Sequence, residues 1–265
     1  MMNTKNYLKY KSSLLKFNEI NFGLSSIELN PTELCNRICG FCPRSTFYPN
    51  KNLNMKVNDA YIMKTRLKEF NFKGLLTISG KGEPLLNKNL VYIIDILSDF
   101  KPVLITNGDV ILKNNKIVKE LFDSGLNKLI ISEYDNMNKD WNNILGDCDF
   151  LIKDLTKPPN YFNNRGGSFQ TIEKSMHKAC YFPFYKTVID YDLSVLFCGN
   201  DWKFKESLGN LKNKTLKDIW LSPKMNDYRR KLIEGKRKNI KPCETCDVNG
   251  TEMGKENFEW FKNAT

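Results

Sequence analysis

The segment Glu33-Leu34-Cys35-Asn36-Arg37-Ile38-Cys39-Gly40-Phe41-Cys42-Pro43 sets three thiols at intervals of four and three residues. Those intervals let one loop wrap three thiolates around one face of an iron–sulfur cubane, a cluster that prefers thiolate ligands. Three ligands instead of four leave one iron open to an exogenous group. The competing readings are a zinc site, which needs a fourth ligand nearby, or plain burial of structural cysteines. His177, the one histidine of the chain, is far away in sequence and reads as a packing or surface residue. The iron–sulfur reading therefore leads.

On either side of this loop the texture alternates. Apolar runs at Ser26–Leu29, Leu75–Ser79, Val103–Thr106, Leu129–Ser132 and Phe150–Lys153 read as strands. Between and after them, Asn58–Phe70, Asn89–Ser98, Asn115–Ser124 and Asn138–Leu145 read as helices. Strands that alternate with helices make βα units and a parallel sheet buried on both faces. The expected class is α/β, a partial (β/α) barrel of five to six parallel strands. Past Lys157-Pro158-Pro159 the pattern changes: Thr187–Asp190 and Ser194–Phe197 read as a small antiparallel hairpin, and Leu216–Trp220 and Met225–Glu234 as short helices. The expected division is 1–160, with a partly helical lead-in over 1–24, and 161–265.

Composition narrows the function classes. The 265 residues include 41 Lys and Arg against 30 Asp and Glu, a net charge of +11. The lysines are dispersed, apart from a short run at Lys236, Arg237, Lys238 and Lys241, and no nucleic-acid module accompanies them. A solvated basic surface, or attraction to an anionic substrate or protein partner, accounts for them without a nucleic-acid partner. No apolar run approaches the ~18 residues of a membrane span, so no membrane partner is expected. Lys5, Lys9, Lys11 and Lys16 break the amino-terminal segment where a secretory signal would be continuously apolar. The expected location is cytoplasmic. In that reducing compartment eight cysteines point to metal rather than disulfides. Cys148, just before a strand, reads as structural. Cys180, Cys198, Cys243 and Cys246 form a second set.

The Cys35–Cys42 loop, with Phe41 before the third cysteine, resembles that of the radical S-adenosylmethionine (SAM) superfamily. The resemblance implies a [4Fe–4S] cluster on Cys35, Cys39 and Cys42 whose open iron is chelated by SAM. It also implies reductive cleavage of SAM to a 5′-deoxyadenosyl radical that abstracts hydrogen from a substrate. Ser79-Gly80-Lys81-Gly82-Glu83-Pro84, after the second strand, is similar to the family's motif for the SAM amino group, with Lys81 where a glycine or aromatic is common. Glycines such as Gly82 let backbone approach a ligand, and the Glu83 carboxylate suits an ammonium. Thr106-Asn107-Gly108 and Ser132 stand where related enzymes reach the ribose and carboxylate of SAM. All follow carboxyl ends of strands, where parallel barrels build their sites.

The second thiol set, spaced 18, 45 and 3, lies among Cys198-Gly199-Asn200-Asp201-Trp202 and Leu208-Gly209-Asn210-Leu211. It resembles the carboxyl-terminal extension of SPASM/Twitch radical SAM proteins, with a spacing similar to that of aminocyclitol-oxidising dehydrogenases of the group. That implies one auxiliary [4Fe–4S] cluster with four cysteine ligands; a Cys₄ zinc knuckle is the alternative. A saturated cluster is suited to moving electrons. The expected function is hydrogen abstraction completed by two-electron oxidation of a small polar substrate, sugar- or aminocyclitol-like. An external one-electron reductant of flavodoxin or ferredoxin type is the implied protein partner. Arg165, in the segment Asn163-Asn164-Arg165-Gly166-Gly167, is a candidate to hold hydroxyls or a carboxylate. Glu133 and Asp154, after the fourth and fifth strands, are candidate proton acceptors. For each, an ion pair or loop hydrogen bond is the competing role. Trp202 and Trp220 read as core of the extension. Two other functions stay open: a peptide- or protein-modifying maturase, and a non-enzymatic metal-binding interaction protein.

Overall fold

The computed structural model describes residues 9–13, 15, 17–135, 139–156, 163–168, 176–248 and 253–264. Eight strands form one sheet: β1 (Ser26–Leu29), β2 (Leu75–Ile78), β3 (Val103–Thr106), β4 (Lys128–Glu133), β5 (Phe150–Asp154), β6 (Lys186–Ile189), β7 (Ser194–Leu196) and β8 (Ser207–Asn210). Their spatial order is β5-β4-β3-β2-β1-β6-β7-β8. Every neighbouring pair from β5 to β6 is parallel, and β6–β7 and β7–β8 are antiparallel. The barrel thus has six parallel strands, the upper of the two expected numbers. The hairpin at 186–196 was anticipated, but the pairing of β6 with β1 was not. One sheet therefore holds strands from both sides of the boundary expected near 160.

The period of two along each strand sorts the side chains. Ile27, Leu29, Leu76, Ile78, Leu104, Leu129 and Ile131 join the large core beneath the helices. There they meet Ala60, Met63 and Leu67 of the helix Val57–Glu69, Ile93 and Leu97 of Leu90–Leu97, and Val118 and Leu121 of Lys116–Asp123. The alternate residues Leu75, Val103, Ile130 and Leu151 form a smaller apolar floor on the concave side, closed by Tyr10 and Leu15 of the lead-in. One step further along the strands, Glu28 lies between Thr77 of β2 and Val188 of β6. Polar residues begin at that level.

The two short helices read over 216–220 and 225–234 both begin on side-chain caps. Thr215 Oγ1 accepts the amide of Asp218, and Ser222 Oγ accepts that of Met225 with Pro223 in the first turn. Within Asn138–Leu145 the helix occupies Trp141–Leu145, and residues 136–138 lie outside those described. The short helices Asp109–Lys113, Phe182–Tyr185 and Lys241–Glu244 were not foreseen, nor was the strand β8. A Cβ at Gly209 would stand 3.0 Å from the Ile219 side chain, so the glycine lets the helix Leu216–Trp220 close on the strand.

The carboxyl-terminal helix Lys255–Ala264 ties the ends together. Phe258 and Phe261 pack on Phe184 at ring-centroid distances of 4.9 and 5.7 Å. Asn257 Nδ2 donates to the Gly23 carbonyl and to Ser25 Oγ, and Trp220 Nε1 donates to the Phe22 carbonyl at 2.9 Å. Trp220 is core, as read from sequence. Because Phe184 is fully buried in the same apolar cluster as the sheet residues, Phe184→Ala is expected to cost about 3–5 kcal/mol. Anaerobic denaturation should show one transition shifted as a whole. Two transitions, of which only one moves, would contradict a shared core.

Candidate active site

A cavity of about 540 Å³ opens at the carboxyl ends of the parallel strands. Cys35, Cys39, Phe41 and Cys42 line it on one side and Cys198 to Asn200 on another. The first thiol loop leaves β1 through a bridge between Thr32 and Asn54. Asn50 holds Cys35 on both sides, accepting its amide at 2.8 Å and donating to its carbonyl at 2.9 Å. Arg44 spans the loop, with donors to the carbonyls of Glu33, Pro49 and Lys81. Phe41 rests against Tyr134, ring centroids 5.6 Å apart.

Glu83 joins the next two loops. It is buried, and its carboxylate accepts from Thr106 Oγ1 at 2.7 Å, the Asn107 amide at 2.8 Å and the Leu85 amide at 3.0 Å. Burial lifts its pKa even though all three donors favour the charged form. The carboxylate read from sequence as a partner for an ammonium is thus engaged by its own chain. Gly82 sits where a Cβ would overlap the carbonyls of Thr32 and Leu34, and Gly80, at φ +121°, where it would overlap the side chain of Asn30. Asn107 donates to Asn36 Oδ1 at 2.9 Å, and Asn36 donates to Asp109 at 2.7 Å. Arg37 grips both carboxylate oxygens of Asp109 and reaches Asp135 at 2.7 Å. Gly82, Glu83, Thr106, Asn107 and Ser132 all face the cavity.

The second thiol set is held by an arginine that sequence reading left in a basic run. Arg237 is fully buried and donates to the carbonyls of Lys178, Ala179 and Val248 at 2.7, 2.9 and 2.7 Å. It thereby joins the chain beside Cys180 to the chain beyond Cys246. Burial pushes the Cys180 thiol up to about 11, partly offset by the charge of Arg237, with Cys246 adding to the rise. Burial raises Cys243 and Cys198 as well, and in each case other thiols of the set add to the rise. In the first set burial lifts Cys39 to about 11, with Cys42 and Cys35 contributing. Among the described residues no three His, Cys, Asp or Glu side chains converge as tightly as one metal ion requires. A cubane takes its thiolates at separate corners, and its iron supplies the positive charge that crowded thiolates lack. Within each set the thiols are near enough to raise one another's pKa, and thiolates are the donors such a cluster takes.

Arg165 stands between the two sets. Its backbone is left-handed, at φ +51°, and Asn164 holds it there. The Asn164 amide donates to Asp247 at 2.8 Å, its Nδ2 to the Thr245 carbonyl at 2.6 Å, and its Oδ1 accepts from Gly167 at 3.0 Å. Gly166 packs where a Cβ would come within 2.7 Å of the Asn200 carbonyl. Arg165 faces the cavity, and its buried Nε has no hydrogen-bond partner. Glu133 instead accepts from Trp141 Nε1 at 3.2 Å, and exposed Asp154 caps Thr156 at 2.9 and 2.6 Å. Neither lines the cavity. Trp202 does, packed edge-on to Tyr48 at 4.9 Å, with the Lys81 ammonium over its ring at 5.6 Å. Burial draws Lys81 down to about 8, and its Nζ donates to the Asp201 carbonyl at 3.0 Å. Sequence reading missed the inner wall: Lys11, Glu28, Lys153 and Lys186. The available signal was a charge at an inward position of an apolar strand, as in Ser26-Ile27-Glu28-Leu29 and Phe150-Leu151-Ile152-Lys153.

Residues 180–247 match the family SPASM, an iron–sulfur cluster-binding domain. Over 236 residues the chain is 27% identical to the S-adenosyl-L-methionine-dependent 2-deoxy-scyllo-inosamine dehydrogenase of Niallia circulans, covering 84% of this chain and 92% of that protein. The crystal structure of BtrN in complex with AdoMet and 2-DOIA superposes with a TM-score of 0.74 at 25% identity, over 87% of this chain and 96% of that one. The structure of anSMEcpe with bound AdoMet and Cp18Cys peptide shares the fold, with a TM-score of 0.57 at 15% identity over 91% and 97% of the two chains. In its two thiol sets, its parallel sheet and the SPASM match over 180–247, the chain is similar to radical SAM proteins that carry a SPASM/Twitch extension.

Proposed function

We propose that the protein is a radical SAM dehydrogenase acting on a small polar substrate, sugar- or aminocyclitol-like, with residues 1–160 as its radical core and 161–265 as its auxiliary-cluster unit. One observation carries this reading: Cys35, Cys39 and Cys42 share a single cavity with Cys198 of the second set. When bound, SAM and the two [4Fe–4S] clusters supply an electron for SAM cleavage, a hydrogen-atom acceptor at the 5′ carbon, and an acceptor for the electron that an oxidised alcohol sheds. The external reductant is of flavodoxin or ferredoxin type.

The chain's own groups bind and orient. Cys35, Cys39 and Cys42 hold the first cluster, and Cys180, Cys198, Cys243 and Cys246 the second. Gly82 keeps backbone close to the first thiol loop, and Thr106, Asn107 and Ser132 offer polar groups to SAM. Arg165 presents a guanidinium to a substrate hydroxyl, and an orphaned Nε donor in a buried wall favours a ligand that accepts from it. Phe41, Tyr134 and Trp202 exclude water around the reacting carbon. The cavity volume suits a small molecule.

Two outcomes test this reading. Anaerobic reconstitution should load about eight iron atoms per chain, and Cys39→Ala should leave about four and reduce 5′-deoxyadenosine release to background. Release unchanged by that substitution would contradict it. Arg237→Met should lower iron at the second set while 5′-deoxyadenosine release without substrate persists, and Arg237→Lys should recover part of the loss. Iron content by colorimetry and nucleoside by mass spectrometry read both arms.

A further inference from the structure

Lys81 stands in the segment that resembles the motif for the SAM amino group, where that motif commonly has a glycine or an aromatic. Gly80 and Gly82 flank it, so Lys81 is the one side chain that can fasten the backbone between Ser79 and Glu83. It does so on two sides. Its carbonyl accepts from Arg44 Nε at 2.9 Å, two residues past Cys42 of the first thiol loop. Its ammonium crosses to the carboxyl-terminal unit and donates to the Asp201 carbonyl at 3.0 Å. On the way it lies 5.9 Å from the ring centre of Tyr48 and 5.6 Å from that of Trp202. Only 4% of the residue is exposed.

The acceptor belongs to a turn that closes on Cys198. The Asp201 amide donates to the Cys198 carbonyl at 3.2 Å, and the Asn200 amide to Cys198 Sγ at 3.4 Å. The Asp201 carboxylate is held in turn, accepting from the amides of Phe204 and Glu206 at 2.8 and 2.7 Å. A buried ammonium deprived of its carbonyl and a ring would be a charge short of partners, which is costly. The Lys81 side chain therefore keeps its place only while the turn 198–202 is closed. Its cation–π contacts and charge-assisted hydrogen bond pass that condition on to the backbone between Gly80 and Gly82. That backbone lines the cavity beside Cys35, Cys39 and Cys42.

We propose that Lys81 is a positioning residue that couples the two thiol sets: the loop Ser79–Pro84 takes its SAM-binding position when the second set has ordered the turn 198–202. This rests on the reading above, in which SAM binds at the first set and a cluster fills the second. The coupling is reciprocal, so a loop that holds SAM also favours the closed turn. A chain that lacks its second cluster then holds SAM weakly. Cleavage of SAM is thereby held back where a substrate radical would have no acceptor for its electron.

The probe is SAM itself, labelled and bound without reductant, so that affinity is read apart from turnover. Equilibrium dialysis uses the anaerobically reconstituted full chain, with binding scaled to the first cluster counted by electron paramagnetic resonance in a separately reduced sample. Lys81→Met should weaken SAM about 10-fold, and Lys81→Arg should recover most of the loss. Cys198→Ala, which removes a ligand of the second set, should weaken SAM to a similar degree. The double variant should bind no more weakly than either single one, because both changes break the same link. Losses that multiply to about 100-fold mean two separate effects and overturn the proposal. So does full SAM affinity in Cys198→Ala, a result that stands even where Lys81→Met fails to load its first cluster. A wild-type chain that loads this cluster and binds no SAM sinks the reading of the SAM site as well. Wild-type SAM binding that neither substitution moves sinks this inference alone.

Discussion

The buried carboxylate of Glu83 is the constraint on which the rest of the site depends. A buried carboxyl needs hydrogen-bond partners, and here the chain provides three donors, from Thr106, Asn107 and Leu85. Satisfying that need draws the loops after β2 and β3 into one piece. Gly82 then lets this piece press against the carbonyls of Thr32 and Leu34 at the root of the first thiol loop. Asn107, Asn36, Arg37 and Asp109 extend the contact along that loop. Losing any one donor would leave part of a buried polar group unsatisfied, which costs more than the bond itself contributes.

A second polar network joins the first thiol loop to the carboxyl-terminal unit. Glu33, just before Cys35, pairs with Lys205 and accepts from Tyr48, and Lys205 also reaches Asp190 at the end of β6. Burial works to raise the Glu33 carboxyl, and the bonds from Lys205 and Tyr48 reverse that and bring it down. Lys81 lies over the rings of Tyr48 and Trp202 beside the same groups. The loop that carries three thiols is thereby fastened to the hairpin whose far strand leads to Cys198. Positions on both sides of the cavity are coupled by side chains rather than by the sheet alone.

The parallel strands were legible because each is a short apolar run bounded by turn residues, and the helices because their apolar spacing is local. The thiol loop was legible because its chemistry is written in a contiguous stretch. The pairing of β6 with β1 was not, since nothing local in Lys186–Ile189 says which neighbour lies on its other edge. Arg237 was misread for a related reason: its neighbours Lys236 and Lys238 are exposed, and only the fold turns the residue between them inward to three carbonyls. Glu133 and Asp154 were proposed from their positions after strands, but Trp141 and Thr156 compete for their carboxylates. The inner wall escaped because a lysine inside a strand looks like a solvent-facing residue until the barrel curves around it.

Arg165 shows how these pieces act on one another. A left-handed conformation at a long side chain costs on the order of 1–3 kcal/mol and persists only where surroundings over-determine it. The surroundings are Asn164 bound to Thr245 and Asp247, with Gly166 and Gly167 pressed on Asn200 and Thr245. Those partners flank Cys198, Cys243 and Cys246, so whatever organises the second thiol set also sets the guanidinium that faces the cavity. The carboxyl-terminal unit is consequently a template for the binding wall as well as a holder of thiols. Loosening it releases the strain at Arg165 and the aim of its side chain in the same step.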